Sequence, residues 1–281
     1  MNKNFIRIIS RLDIKNNNLI KGINLEGLRI LGEPLNFANI YSKHGVDEIC
    51  YVDNVATLYG TNNLSKFISN TAKNLNIPLS VGGGIRSVHD IEKILVSGAD
   101  KVCINSAIVD NIDFLSKIVK LFGSSTITVI IEYIKYKNKY FISKSSGRDL
   151  IHIDPVTWSK KVEDAGAGEI ILTSINNEGL MRGFDIEIIK RISSTVRIPV
   201  IAHGGAGSFH DILDVISKSN ISGVSIASFF HYHYYTWFKN KKYNKIGNYS
   251  FLKKKFKKNN KNLIFELKKF LKKNSINVRH L

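Results

Sequence analysis

A chain of 281 residues with 43 % hydrophobic content can bury a sizeable core, which excludes a disordered protein and makes a single α/β domain over residues 1–281 the expectation. No run of about 18 apolar residues occurs and the amino terminus lacks a leader-like apolar core, so a cytoplasmic protein without a membrane span is expected. The net charge of +18 is uneven: residues 239–281 carry +14 of it, and no recognition helix or aromatic RNA-binding motif accompanies the charge, so nucleic acid is not the expected partner.

Phe5–Leu12 reads as a first buried strand with Asp13 at its carboxyl end, followed by a polar turn and a short extended piece, LIKG. Pro34–His44 has helical spacing, and Glu48–Val52 is a second strand ending at Asp53. A helix over Asn63–Leu75 leads to strand Pro78–Val81 and the loop Gly82–Gly83–Gly84. Helix Val88–Ser97 precedes strand Lys101–Ile104, which ends at Asn105 and Ser106.

The second half, from about residue 123, repeats this grammar. Helix Phe114–Leu121 leads to strand Ile127–Ile131, ending at Glu132, and a hairpin-like excursion covers Tyr136–Ser146. Helix Pro155–Ala165 and strand Ile170–Thr173 follow, then helix Asp185–Ile192 and strand Val200–Ala202 below Gly204–Gly205. Helix Phe209–Ser217 and strand Val224–Ala227, ending at Ser228, complete eight βα units. The expected fold is a (β/α)8 barrel made of two half-barrels, about 1–122 and 123–281. Three spacings support the repeat: Asp13 to Glu132 is 119 residues, Gly82 to Gly204 is 122 and Asn105 to Ser228 is 123. All six positions fall at strand carboxyl ends, the catalytic rim of such a barrel.

Asp13 and Glu132, on opposite strands, suit general acid–base work, because desolvation or proximity raises one carboxyl while the other stays ionised. The alternative is a brace in which either one pairs with Arg7, Lys21 or Arg11. Lys21 is placed to hold substrate or polarise an oxygen, and Asp53 is a third rim carboxylate or a loop bracket. The two glycine loops predict two anion sites, since backbone N–H groups at a helix amino terminus hold phosphate oxygens. A single Gly-Gly pair could equally be a tight turn; two in half-chain register point to a ligand phosphorylated at both ends. Asn105 and Ser106 join the first loop and Ser228 the second. Ser174, Asn176, Glu178 and Gly179 are placed to close the second, although the Glu178 charge would repel phosphate unless it points away or meets a sugar hydroxyl. Cys50 and Cys103 read as reduced, buried small hydrophobes, and no metal-ligand spacing uses them. Tyr232–Asn262 opens within the run HYHYYTWF, which starts at His231, and continues rich in Lys and Asn; it reads as a basic insertion before the last helix, or as a docking surface anchored by its aromatics.

The segments VGGGIRS, GADKVCINSA, FGSSTI, GAGEIILTS, GFD and IPVIAHGGAGS resemble the cyclase subunit of imidazole glycerol phosphate synthase over nearly the whole chain, as does the end, LKKFLKKNSINVR. That resemblance implies a barrel closing the imidazole ring in histidine synthesis without an organic cofactor. The ammonia would come through the barrel from a partner glutaminase on the amino-terminal face. It places Asp13 and Glu132 as catalytic carboxylates and Arg7 at the ammonia gate. The expected substrate- and phosphate-binding set is Lys21, Asp53, Gly83, Gly84, Asn105, Ser106, Ser174, Glu178, Gly179, His203, Gly204, Gly205, Ala227 and Ser228. Five departures stand out: Glu132 and Glu178 where the family has Asp, Leu180 for Thr, His203 for a small hydroxyl residue, and DNV for DIT around Asp53. The features LEGLRILG, ATLYG and IEYIK resemble a paralogous branch whose barrel relays ammonia to a sugar amidotransferase in surface-polysaccharide synthesis.

Overall fold

The computed structural model describes residues 5–53, 65–237 and 261–279. Twelve strands lie in these residues: β1 (Arg7–Lys15), β2 (Asn18–Ile23), β3 (Glu26–Gly32), β4 (Glu48–Asp53), β5 (Leu79–Gly82), β6 (Lys101–Ile104), β7 (Ile127–Tyr136), β8 (Lys139–Lys144), β9 (Asp149–Ile151), β10 (Glu169–Ser174), β11 (Val200–His203) and β12 (Gly223–Ile226). The helices are α1 (Pro34–Lys43), α2 (Ser65–Ala72), α3 (Val88–Val96), α4 (Ser106–Asp110), α5 (Ile112–Phe122), α6 (Pro155–Asp164), α7 (Ile186–Thr195), α8 (Phe209–Lys218), α9 (Ser228–Tyr235) and α10 (Leu263–Lys273). Eight strands pair in parallel in the order β1, β4, β5, β6, β7, β10, β11, β12, and β12 returns to β1, closing a (β/α)8 barrel.

Short apolar strands suit this closure, because helices outside and side chains inside remove both faces from water. Alternation along the strands divides the core in two. Ile8, Leu12 and Ile14 of β1 join the large layer between barrel and helices. Ile9 joins Cys50, Val52, Cys103, Ile130, Ile171 and Ile201 in a separate cluster inside the barrel. Arg11 and Asp13 share the parity of Ile9 and therefore point into the same interior.

Two details differ from the expected elements. Asp13 and Glu132 do not end their strands: β1 runs on to Lys15 and β7 to Tyr136. Each extension becomes one arm of an antiparallel excursion, β1–β2–β3 in the first half and β7–β8–β9 in the second. Both carboxylates sit where barrel pairing hands over to hairpin pairing, Asp13 opposite Ile20 and Glu132 opposite Ser143. The repeat also extends to the helix caps. Ser87 accepts the Asp90 N–H at 3.2 Å and starts α3; Ser208 accepts the Asp211 N–H at 3.1 Å and starts α8.

The aromatic run after the eighth strand is the second correction. Residues 228–235 form α9; His231 and Tyr234 are buried against α1, and Tyr232 is buried as well, rather than displayed as a docking surface. Two reciprocal pairs clamp these helices: Tyr41 Oη lies 2.7 Å from His231 Nδ1, and His44 Nδ1 lies 2.7 Å from Tyr234 Oη. Aromatic side chains on one helix face pack well when their polar tips find partners, which here they do across the interface. The Lys/Asn-rich part of the expected insertion, residues 238–260, lies outside the described residues, as does the ATLYG stretch after Asp53.

Candidate active site

The barrel interior carries charge at both ends and apolar side chains between. At the amino-terminal end, β1, β4, β6 and β10 each begin with a charged residue: Arg7, Glu48, Lys101 and Glu169. Arg7 reaches Glu48 at 3.2 Å and also pairs with Glu169; Lys101 reaches Glu48 at 3.2 Å and Glu169 at 3.5 Å. This ring spans the mouth below the apolar cluster. Burial opposes the Arg7 charge, but the two glutamates outweigh it and raise its affinity for its proton.

At the carboxyl-terminal end Asp13 is buried between two cations. Arg11 Nε donates to its Oδ1 at 2.9 Å and Lys21 Nζ to its Oδ2 at 3.2 Å. Desolvation alone would raise the Asp13 carboxyl, yet Arg11 and Lys21 pull it well below the usual carboxylate range, so it is ionised. Arg11 is itself fully buried; its Nη1 donates to Thr173 at 3.3 Å, and its Nη2 has no protein partner. The brace expected as an alternative is thus present at Asp13, with Arg11 and Lys21 as its members.

Glu132, across the barrel, has the opposite environment. Burial comes first among its influences and pushes its carboxyl up to about 7, with the Asp13 charge adding to the rise. Arg11, the Gly147 N–H at 3.2 Å and an Asn105 side-chain hydrogen bond hold it from rising further. The two carboxyls therefore differ in protonation at neutral pH, the arrangement that proton transfer in both directions requires.

Beside Glu132 opens a cavity of about 460 Å³, lined by Asp53, Gly83, Gly84, Asn105, Ser106 and Glu132 among others. Six expected site residues thus meet in one space, joined by Lys144, Ser145 and Ser146 from the β8–β9 excursion, which no motif announced. Gly83 has φ +105°, and a Cβ there would lie 2.3 Å from the Asp53 carbonyl oxygen, so only glycine lets the loop pass so close. Asp53 serves as that loop's neighbour as well as a cavity wall.

The second loop holds the rest of the expected set. Glu178, Gly179, His203, Gly204, Gly205, Ala227 and Ser228 line one pocket with Ser225, and its free volume is only about 10 Å³, room for one water. Gly205 has φ +118°, and a Cβ would meet the Gly183 carbonyl oxygen at 2.0 Å. Ser174 stands behind Gly204 instead of on the wall, where a Cβ on Gly204 would come within 2.7 Å of its carbonyl oxygen. The hydroxyls of Ser225 and Ser228 on this wall are buried without a protein partner, which suits hydroxyls kept for a ligand.

Glu178 neither faces an anion unpaired nor points to solvent. Its Oε1 accepts from Lys21, and its Oε2 lies 3.2 Å from His203 Nε2. Lys21 thereby bridges Asp13 and Glu178, and burial lowers its hold on its proton. The His203 imidazole is pushed down to about 3, by burial first and then by Arg11 and Lys21.

The profile of the family described as "Histidine biosynthesis protein" matches residues 7–236, most of the chain. The chain belongs to this family. It is 49 % identical over 207 residues to the imidazole glycerol phosphate synthase subunit HisF of Legionella pneumophila, covering 73 % of this chain and 98 % of that protein. The HisF subunit of Lactococcus lactis subsp. cremoris MG1363 is 42 % identical over 228 residues, 80 % of this chain and 88 % of the relative. That of Sulfurisphaera tokodaii is 42 % identical over 221 residues, 78 % and 89 % of the two chains. The family match ends one residue before Trp237, where the described part of the chain breaks off. Glu48, Lys101, Glu169 and His231 carry no site assignment from the sequence. A charged first residue in an otherwise apolar strand is the signal that finds the first three.

Proposed function

We propose that this chain is the cyclase subunit of imidazole glycerol phosphate synthase. It would use glutaminase-derived ammonia to convert the ribulosyl-phosphate aminoimidazole ribotide into imidazole glycerol phosphate and aminoimidazole carboxamide ribotide. The observation that carries the reading is the parted carboxylate pair between two glycine loops: ionised Asp13 on one side and Glu132, near neutrality, on the other. Each loop would take one phosphate of the substrate on backbone N–H groups, setting the ribulosyl carbonyl between the carboxyls. Asp13 would accept the proton released as ammonia adds to that carbonyl, with Lys21 close by to stabilise the developing oxyanion. Glu132, half protonated at neutral pH, gives and takes the protons of ring closure and cleavage. Ammonia in bulk water near neutral pH is mostly non-nucleophilic ammonium. The apolar interior between charged mouth and active site supports delivery through the barrel, with a glutaminase docked at the Arg7 end and Arg7 as part of the gate.

A non-catalytic relay is disfavoured, because a relay needs neither carboxyl and both are present in contrasting states. The test is direct: the purified chain, supplied with the ribulosyl ribotide and an ammonium salt at alkaline pH, should release the aminoimidazole product. Asp13→Asn should lower turnover by roughly a hundred- to ten-thousand-fold, as loss of a positioned acid–base group does. An unmodified chain that gives no turnover overturns the proposal.

A further inference from the structure

The turn between β8 and β9 is tied to two walls of the large cavity. The Ser145 N–H donates to Ser106 Oγ at 3.1 Å, and the Gly147 N–H donates to Glu132 at 3.2 Å. Ser145, Ser146 and Gly147 have φ +56°, +59° and +85°, a left-handed run that serine seldom adopts and that persists where its surroundings fix it. The backbone of Lys144, next to this run, is thus held in place. Its ammonium pairs with the Asp110 carboxylate at the end of α4, and both side chains line the cavity with Gly83 and Gly84. Among the described residues the cavity wall carries the cations Arg86 and Lys144 against the carboxyls of Asp53, Asp110 and Glu132. A wall of that balance draws a dianion only if its acidic members are offset. Lys144 offsets Asp110, yet their side chains are 23 % and 61 % exposed, and an ion pair so open to water contributes little. Asp110 gives up its partner for water at small cost.

We infer that Lys144 is a specificity residue of the first anion site: it leaves Asp110 for a dianion that settles on Gly83–Gly84, and Asp110 competes with that dianion for it. The inference rests on reading Gly83–Gly84 as an anion loop. Backbone N–H groups hold an anion by geometry and discriminate its charge weakly. A lysine ammonium adds charge-assisted hydrogen bonds, and its flexible stem with three rotatable donors suits the exchange of one acceptor for another. The gain comes from the difference between the two partners. Asp110 offers a single charge beside open water, while the dianion offers two charges within the cavity, where screening is weaker. No covalent bond changes. The competing carboxylate sets a threshold: an anion with one charge does not outbid Asp110 and leaves Lys144 in place. Lys144 and Asp110 together therefore tune the first loop toward a phosphate monoester dianion.

Sulfate is the probe, and perchlorate, a monoanion of the same shape, is its control. The full chain, labelled with nitrogen-15, is titrated with each at fixed ionic strength while the Gly83 and Gly84 amides and the Lys144 Nζ signal are followed. These signals report the first loop alone and need no turnover, so the outcome is separate from whether the chain is a cyclase. Sulfate should move both sets, and perchlorate should leave Lys144 unmoved. Lys144→Gln should weaken sulfate by about tenfold, the loss of one hydrogen bond to a charged group, whereas Asp110→Asn should tighten it several-fold by removing the competitor. The opposite signs separate a ligand from a brace: an ion pair that merely pinned the hairpin would weaken binding alike when broken from either side. Glycine amides that move while Lys144 does not, or losses of the same sign in the two variants, overturn the inference and leave the anion loop standing. Glycine amides that ignore sulfate overturn both.

Discussion

Glu132 and Asp13 are the same chemical group facing one interior, and their neighbours part them. Asp13 has two cations in direct contact, while Glu132 has burial and a backbone N–H. The raised Glu132 carboxyl has a consequence for stability. Between its ordinary value of 4.5 and its native value near 7, the folded protein keeps a proton that the unfolded chain releases. Stability therefore falls as pH rises through that window, and the deficit persists above it. Glu132→Gln, which keeps an oxygen for the Gly147 N–H, should stabilise the fold by about 3 kcal/mol at pH 8 and have little effect at pH 4. Urea melts of both chains at those two pH values check this; equal midpoints at pH 8 would sink it. At this scale the sequence showed which side chains matter better than it showed their state. The half-chain spacing picked out Asp13 and Glu132 and both glycine loops. Arg11 was legible only as one of three possible brace partners, because its direct contact with Asp13 depends on inward parity within a strand that runs on to Lys15.

Among the elements, the last helix is secured far from its sequence neighbours. Asp47, just before β4, accepts from the Ile8 N–H at 2.8 Å and from Lys268 of α10 at 2.7 Å, with Arg279 at 3.4 Å. Lys268 is buried, so α10 depends on this carboxylate for its charge balance. Asp47→Asn should leave a buried ammonium without its counter-ion and destabilise the docked helix by about 3–5 kcal/mol. Hydrogen exchange localises the effect: amides of α10 should lose protection before those of β4 and β5, and uniform protection would refute the link. The barrel strands were legible because buried parallel strands are short apolar runs between turn signals. Hairpins β2–β3 and β8–β9 were legible only as an extended piece and an excursion, since their half-exposed alternation is weak. Helix α9 was misread for a reason of composition. HYHYYTWF reads as the start of a basic insertion or of a docking surface, but two of its residues, His231 and Tyr234, are paired with Tyr41 of α1 and with His44 at its end, about 190 positions away in sequence.

For the whole molecule, the ring of Arg7, Glu48, Lys101 and Glu169 closes one end of the barrel with two cations and two anions in mutual contact. Under the proposed function it divides the glutaminase side from the apolar interior. Arg7→Ala leaves Lys101 to pair with both glutamates and should open the mouth to water. The ratio of imidazole product formed to glutamine consumed should then fall several-fold in the reconstituted complex. A ratio that stays at the unmodified value would remove Arg7 from the gate. The alternating βα pattern and the half-chain repeat made the barrel legible as a whole. The ring was not, because four strand-initial charges on different strands become one object only when the sheet closes.

The apolar cluster inside the barrel has one more consequence. Ile9, Cys50, Val52, Cys103, Ile130, Ile171 and Ile201 supply no side-chain oxygen or nitrogen on which a file of waters could be strung. Under the proposed function such walls favour a small neutral gas over a file of hydrogen-bonded waters carrying hydrons along the axis. The two faces would then be insulated from each other in acidity, each mouth equilibrating with its own surroundings. Every hydron spent in closing the ring would then be drawn from the carboxyl-terminal mouth, which is where Glu132 stands with its raised carboxyl.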